Sequence, residues 1–276
     1  MGDSDEQCNF RDLLLHLRNA ESTEDNWKLL ATQFFNASDV LSSLDHACFS
    51  DATCLIPCKS EVDEFNINKL RSLNSPVARI NAVHTSGSES RKADSDLAKG
   101  LAPYLLLSRG SRVMLRTNLW TEAGLVNSSV GTIQEIIFKE NQDPPSLPIA
   151  IIVEFDNYSG PAILINEKRL ILISLVRHIW EGKKGSYFRL QIPVCLVWAI
   201  TVYKSQGLTL EKAVIDLRKK EFAAGLSFVA ISQVRTLRNI LFSLFSFERL
   251  QRLKSYKRLK ERIDEEKWLL SMSPNV

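Results

Sequence analysis

The stretch Thr201-Val202-Tyr203-Lys204-Ser205-Gln206-Gly207 runs through Leu208-Thr209-Leu210 into the apolar segment Ala213-Val214-Ile215-Asp216-Leu217. Length and β-branching predict a strand over residues 213–217. Hydroxyl and amide donors beside a glycine, which lets a backbone approach closely, are what a phosphate-gripping loop needs. The same residues also make an ordinary capped loop with a solvated lysine, and on their own they leave both readings open. Upstream, Pro193 suits the first turn of a helix reaching Lys204, although Val194, Val197, Ile200 and Val202 would also tolerate a strand. Downstream, residues 226–232 read as a helix and 240–245 as a further strand, an alternation of α/β type.

Working outward, residues 10–19 repeat apolar positions at helical spacing, and Ser22 with Asp25 suggests a cap before Trp27, Leu29 and Leu30. Residues 53–57 read as a buried strand. Ser60 is placed to cap the next helix, whose inward face is Val62, Phe65, Ile67 and Leu70. Residues 85–100, rich in serine and charge, read as an exposed loop or domain boundary. Short β-rich runs follow at 111–116, 131–138, 149–155, 170–180 and 186–190, separated by turn-rich stretches, and predict a small antiparallel barrel. Gly182-Lys183-Lys184-Gly185 reads as a hairpin turn. The expected organisation is a helical segment over 1–50 and a discontinuous α/β domain over 51–100 and 191–248. A barrel insertion occupies 101–190, and a basic helix closes the chain over 249–276.

That last helix carries Arg249, Arg252, Lys254, Lys257, Arg258, Lys260 and Arg262, then Asp264, Glu265 and Glu266. Such a charge run can attract phosphates. Packing of Phe247, Leu250, Leu253 and Leu259, with the charges solvated, is the favoured reading. The acidic triplet reads as a solvated face rather than a metal site.

The chain has 276 residues, 45% hydrophobic and 24% charged, which fits a folded globular protein. A net charge of +3 is too mild to diagnose nucleic-acid binding, so any basic footprint must be local. Cys8, Cys48, Cys54, Cys58 and Cys195 lack paired zinc spacing and read as reduced thiols. The acidic start fits neither a secretory signal nor a transit peptide, and Glu6 stands where myristoylation needs Ser or Thr. The apolar run 192–202 is too short to span a bilayer. A soluble, intracellular protein with no membrane partner is expected.

The 201–207 block is similar to the fifth helicase motif, T-I-H-K-S-Q-G, of the petite integration frequency (PIF) and RecD-like DNA helicases. Ala230-Ile231-Ser232 resembles the start of their sixth motif. Gly110-Ser111-Arg112-Val113-Met114-Leu115, Asn118-Leu119, Gly124-Leu125-Val126-Asn127 and Glu154-Phe155-Asp156-Asn157-Tyr158 resemble their barrel insertion. Residues 55–70 are similar to their fourth-motif region, and residues 10–19 to the helix after the third. The resemblance covers nearly the whole chain and points to a transposon-associated branch.

It implies an α/β fold: the second RecA-like domain of a translocating motor, with an inserted small antiparallel β-barrel and a C-terminal helix. On that carry-over Asn118, Thr201, Tyr203, Lys204 and Ser205 touch single-stranded DNA, while Gln206, Gly207, Gln233 and Arg235 face a nucleotide. Tyr203 replaces the usual histidine, keeping an aromatic face for base stacking; an ordinary half-buried tyrosine is the alternative. Gln233 stands where the family pattern A-L-S-R puts its arginine finger, and a neutral amide cannot supply a guanidinium's charge. Arg235, two positions along a helix, points elsewhere.

Neither the phosphate loop Gly-x-x-x-x-Gly-Lys-Ser/Thr nor a strand-end acidic pair for magnesium occurs in these residues. ATP and Mg2+ are therefore expected only if a missing N-terminal RecA-like domain, in cis or in trans, supplies that half. For the chain alone no cofactor and no catalytic residue are expected. The family further implies a nuclear protein of DNA repair, recombination and telomere maintenance. The alternatives are a non-enzymatic nucleic-acid-binding module and a transposon-derived remnant.

Overall fold

A computed structural model describes residues 5–34, 48–85, 87–182, 185–217, 225–253 and 257–272. The chain begins with α1 (Asp5–Asn19), α2 (Glu24–Ala31), β1 (Thr53–Ile56) and α3 (Lys59–Ser72). Then come β2 (Ala78–Asn81), β3 (Val83–His84), α4 (Ser88–Lys92), β4 (Tyr104–Leu107), β5 (Arg112–Leu115) and β6 (Val130–Ile137). β7 (Ala150–Phe155), β8 (Ile163–Ile165), β9 (Lys168–Ser174), β10 (Val176–Gly182), β11 (Gly185–Gln191) and β12 (Val194–Leu196) follow. The last elements are β13 (Ala199–Thr201), β14 (Ala213–Asp216), α5 (Leu226–Ile231), β15 (Ile240–Leu244), α6 (Phe247–Leu253) and α7 (Lys257–Met272).

The chain divides into two compact units, one of Met1–Asp63 with Ala199–Val276, the other Glu64–Trp198. The first is built on a parallel sheet ordered β13-β1-β14-β15. Its strands bury Leu55, Ile56, Ala199, Ile200, Ala213, Ile215, Ile240 and Phe242, apolar on both faces as a covered parallel sheet requires. Leu13 and Leu17 of α1 and Ala230 and Ile231 of α5 join this core. Trp27 of α2 stands 5.5 Å from Phe34 and 5.7 Å from each of Phe245 and Phe247, in an edge-on and tilted aromatic cluster. Thr23 caps α2, its hydroxyl accepting from Asn26 N while Asn26 Oδ1 accepts from Thr23 N, so the box lies one residue beyond the expected Ser22–Asp25 pair.

The expected helix over 193–204 is not there. Pro193 precedes β12 and then β13, whose Ala199, Ile200 and Thr201 pair in parallel with Cys54, Leu55 and Ile56. The β-branched residues satisfy a ladder provided by a distant segment, and tertiary pairing overrides the local helix-start signal.

The second unit carries a six-stranded antiparallel sheet ordered β12-β5-β6-β7-β9-β8, with smaller sheets β10-β11-β3 and β2-β4. Val113, Leu115, Ile133, Ile151, Val153, Ile171 and Ile173 form its core. A Cβ on Gly131 would come within 2.6 Å of Glu154 O and 2.7 Å of Val153 Cγ1, so the β6–β7 pairing admits no side chain there. Arg112 forks onto Asp156 at 2.7 and 2.6 Å and also reaches Thr132. Residues 170–180, expected as one run, divide between β9 and β10, which enter different sheets. Gly182 pairs with Gly185 as the expected hairpin requires, while Lys183 and Lys184 lie outside the described residues.

Residues 85–100 are exposed over much of their length, as expected, but are not plain loop. They contain α4, and Ser90 and Ala98 are fully buried. The cause is Arg189 on β11, itself without exposed surface. It donates to Leu101 O (2.7 Å), Ala93 O (2.8 Å), Ser90 O (3.2 Å) and His84 Nδ1 (3.3 Å), with Trp180 5.7 Å away. Carbonyls of an apparently polar loop thus become the ligand set of a buried cation.

The terminal helix is likewise corrected. Arg249, expected among solvated charges, is buried and donates to Ser227 Oγ at 2.9 Å and to Leu217 O. Arg252 pairs with Glu248, and Glu266 takes Arg18 at 2.6 Å and Arg262 at 3.8 Å. Lys254, and the side chains of Leu253, Lys257 and Arg258, lie outside the described residues. No described helix is long and apolar enough to cross a membrane.

Replacing Arg189 by Leu strips two buried carbonyls and the part-buried Ala93 O of their donor, and urea denaturation should show a loss of about 3 kcal/mol or more. Burial, then Arg189 and Arg91, hold His84 below its ordinary value of 6.5, and burial, then Lys99, does the same for His178. The unfolded chain takes up protons that the folded unit resists, so stability should fall as pH drops below 6.5. The urea midpoint measured on either side of that pH should show the drop, and the pair His84→Gln and His178→Gln should shrink it.

Candidate nucleic-acid interface

The 201–207 segment lies at the carboxyl end of β13, beside the carboxyl end of β1 through the Ile56–Thr201 register. That edge of an open parallel sheet is where such folds bind ligands. Residues Val202–Ser205 form a single 3-10 turn. Thr201, nearly buried, caps it by accepting Lys204 N at 3.3 Å. Ser205 has no exposed surface, and its hydroxyl donates to Val202 O at 2.7 Å. Gly207 follows at φ +81°, a left-handed conformation that glycine adopts without strain, with open space where a Cβ would stand.

This turn sorts the expected contact residues into two sets. Tyr203 is 49% exposed, and Lys204, Gln206 and Gly207 are exposed with it. Thr201 and Ser205 face inward and hold the turn, so their hydroxyls shape the backbone instead of meeting solvent. Asn118 belongs to the other unit. It is exposed, and its Oδ1 accepts Asn127 N at 2.7 Å, fixing the loop between β5 and β6.

Gln233 is 7% exposed, its Nε2 donating to Val229 O at 2.7 Å and its backbone carbonyl accepting Leu210 N at 2.8 Å. Its buried Oε1 has no hydrogen-bond partner among the described residues. Arg235 is not on a helix as expected: α5 ends at Ile231, and the segment after it pairs through a Leu210–Val234 bridge. Arg235 is exposed, and its carbonyl accepts Gln7 Nε2 at 2.9 Å.

Two features escaped sequence reasoning. Cys58, just ahead of α3, is held below the ordinary thiol value by the Ser60 hydroxyl at 3.1 Å and then by the backbone N–H groups of Ser60 and Glu61. The strand-to-helix junction was the available signal. Glu6, read as part of an acidic tail, pairs with Arg238 through a forked guanidinium, which lowers its carboxyl. No local pattern announces a contact between residues so distant in sequence.

No protein-family model matches the chain. The ATP-dependent DNA helicase PIF1 of Danio rerio is 28% identical over 244 residues, 86% of this chain and 35% of that protein. The Pif1 helicase of Psychrobacter is 37% identical over 91 residues, 32% of this chain. The crystal structure of Pif1 helicase from Candida albicans superposes with a TM-score of 0.67 at 22% identity, covering 93% of this chain and 57% of that one. The chain matches the C-terminal portion of a PIF-type helicase. A Bacteroides Pif1 in complex with ADP-AlF3 and ssDNA superposes at 0.64, covering 96% of this chain and 54% of that one at 23% identity. The chain thus spans about a third of the Danio PIF-type relative and little more than half of these solved PIF-type chains.

Because the Ser205 hydroxyl is buried and bonded, Ser205→Ala should cost about 1 kcal/mol in urea denaturation. Tyr203→Ala, on the outer side of the same turn, should stay within about 0.5 kcal/mol of wild type.

Proposed function

We propose that this chain is the DNA-gripping portion of an ATP-driven helicase of PIF type, a second RecA-like domain whose residues 101–190 form its barrel insertion. The observation that carries the reading is the sorted turn at the sheet's carboxyl edge. Buried Thr201 and Ser205 set the backbone, and Tyr203 and Lys204 are presented outward as an aromatic face beside a cation. That pairing suits a single strand, whose bases stack on aromatic rings and whose phosphates attract ammonium groups. Asn118, in the second unit, is a separate strand contact implied by the resemblance alone. Gln206 and Gly207 face a nucleotide held mainly by another domain.

The chain's own residues do not fit magnesium-ATP. They contain no phosphate loop, and no group of three or more His, Cys, Asp or Glu stands together among the described residues. Hydrolysis then depends on a nucleotide-binding domain supplied in cis or in trans. Gln233 favours a second reading, a nucleic-acid-binding module without hydrolysis. Its side chain is neutral, buried and bonded to Val229 O of the preceding helix, so it brings no charge to a transferring phosphoryl group.

Fluorescence anisotropy with labelled oligothymidylate should show salt-dependent binding at micromolar protein. Lys204→Ala should reduce the salt slope by about 1, and Tyr203→Ala should weaken binding by about 1–3 kcal/mol. Absence of binding would sink both readings. Purified chain should show no DNA-stimulated ATP hydrolysis, and turnover without an added domain would overturn its dependence on a second one.

A further inference from the structure

The second unit contains a cavity of about 520 Å3 that shares no residue with the 201–207 turn or with Asn118. Antiparallel pairing of β2 with β4 sets Asn81 opposite Tyr104. The Arg79 guanidinium lies over the Tyr104 ring, 4.9 Å from its centroid, and its Nε donates to Asn81 Oδ1 at 3.3 Å. Across the lining stands Arg91 on α4, between Ser90 and Ala93, whose carbonyls the buried Arg189 holds. His84 completes this donor set. A guanidinium only donates, so Arg189 Nε fixes His84 Nδ1 as the acceptor and leaves Nε2 as the ring's N–H.

The described lining carries charge of one sign. Arg79 and Arg91 form no ion pair among the described residues, and no Asp or Glu is among the described residues lining the cavity. Two permanent cations in a concave, acid-free site focus a positive field suited to an anion. The volume lies in the range of small-molecule sites, and guanidinium stacked on phenol offers a platform for a planar base.

The geometry points to a nucleoside-phosphate site: phosphate taken by Arg91, Arg79 and His84 Nε2–H, and base laid against the Tyr104–Arg79 stack. The nucleoside phosphate comes either from a free mononucleotide or from a DNA strand. None of the contact residues proposed above, Asn118 and the 201–207 turn, lines this site.

The test titrates the full chain with thymidine 5′-monophosphate, a thymidine decamer and unphosphorylated thymidine, by calorimetry and by 15N-detected NMR of the histidine rings. At least one phosphorylated ligand should bind and move the His84 ring signals, with thymidine about tenfold weaker or worse. Arg79→Gln and Arg91→Gln should each weaken that ligand about tenfold, the loss of one charge-assisted contact. Tyr104→Phe should retain the affinity and Tyr104→Ser should lose it. A binding monophosphate identifies a free-nucleotide site, whereas binding of the decamer alone identifies a strand site. Lys204→Ala should leave monophosphate binding unchanged and, in a strand site, leave the sensitivity to Arg79→Gln and Arg91→Gln intact. Arg79 and Arg91 are exposed, so the variants should keep the wild-type circular dichroism spectrum. The proposal is overturned if no phosphorylated ligand moves His84, if both arginine variants bind like wild type, or if thymidine binds equally well. Decamer binding lost with Lys204→Ala but untouched by the arginine variants overturns this site while leaving the turn's role standing.

Discussion

Parallel pairing of Cys54, Leu55 and Ile56 with Ala199, Ile200 and Thr201 is the constraint on which the first unit rests. It joins segments separated by the whole of the second unit in sequence, so forming it carries a large chain-closure entropy before any neighbouring contact forms. The return is a buried sheet in which β1 is central, hydrogen-bonded to β13 on one side and β14 on the other. The turn that displays Tyr203 and Lys204 exists because β13 ends where it does. Moving that register by one residue would carry Thr201, and the turn it caps, away from its place beside Ile56.

How far the sequence could be read follows from where each signal resides. Strand β14 and helix α5 were legible because Ala213, Val214 and Ile215, and then Leu226, Ala230 and Ile231, carry their periodicity locally. The 193–204 segment was misread because Pro193 is a local sign of a helix start, while the competing ladder comes from residues 54–56. Within residues 85–100 the short helix and the buried Ser90 and Ala98 were missed for a similar reason. Nothing within that polar stretch shows that Arg189, far along the chain, will take up its carbonyls. At the candidate interface Tyr203 and Lys204 are exposed, whereas Ser205 shows that a hydroxyl reads identically whether it meets a ligand or closes its own turn.

Among the described residues, each unit contains a fully buried arginine serving as a hub for backbone oxygen. Arg189 collects three carbonyls in the second unit, and Arg249 reaches Leu217 O and Ser227 Oγ in the first. Both would count towards a basic surface in a composition-based argument, yet neither is available to phosphate. A modest overall charge thus conceals how unevenly the cations are used, some serving the interior and others, such as Arg79 and Arg91, standing exposed.

The bonds from Gln7 to the Arg235 carbonyl and from Arg238 to Glu6 hold the leading end of α1 against the backbone that follows Gln233. A fluorophore, affinity handle or fused polypeptide joined ahead of Asp5 would therefore emerge within a few residues of that backbone. Attachment at that end is a perturbation of the Gln233 neighbourhood, and reporters meant to be silent belong elsewhere on the molecule.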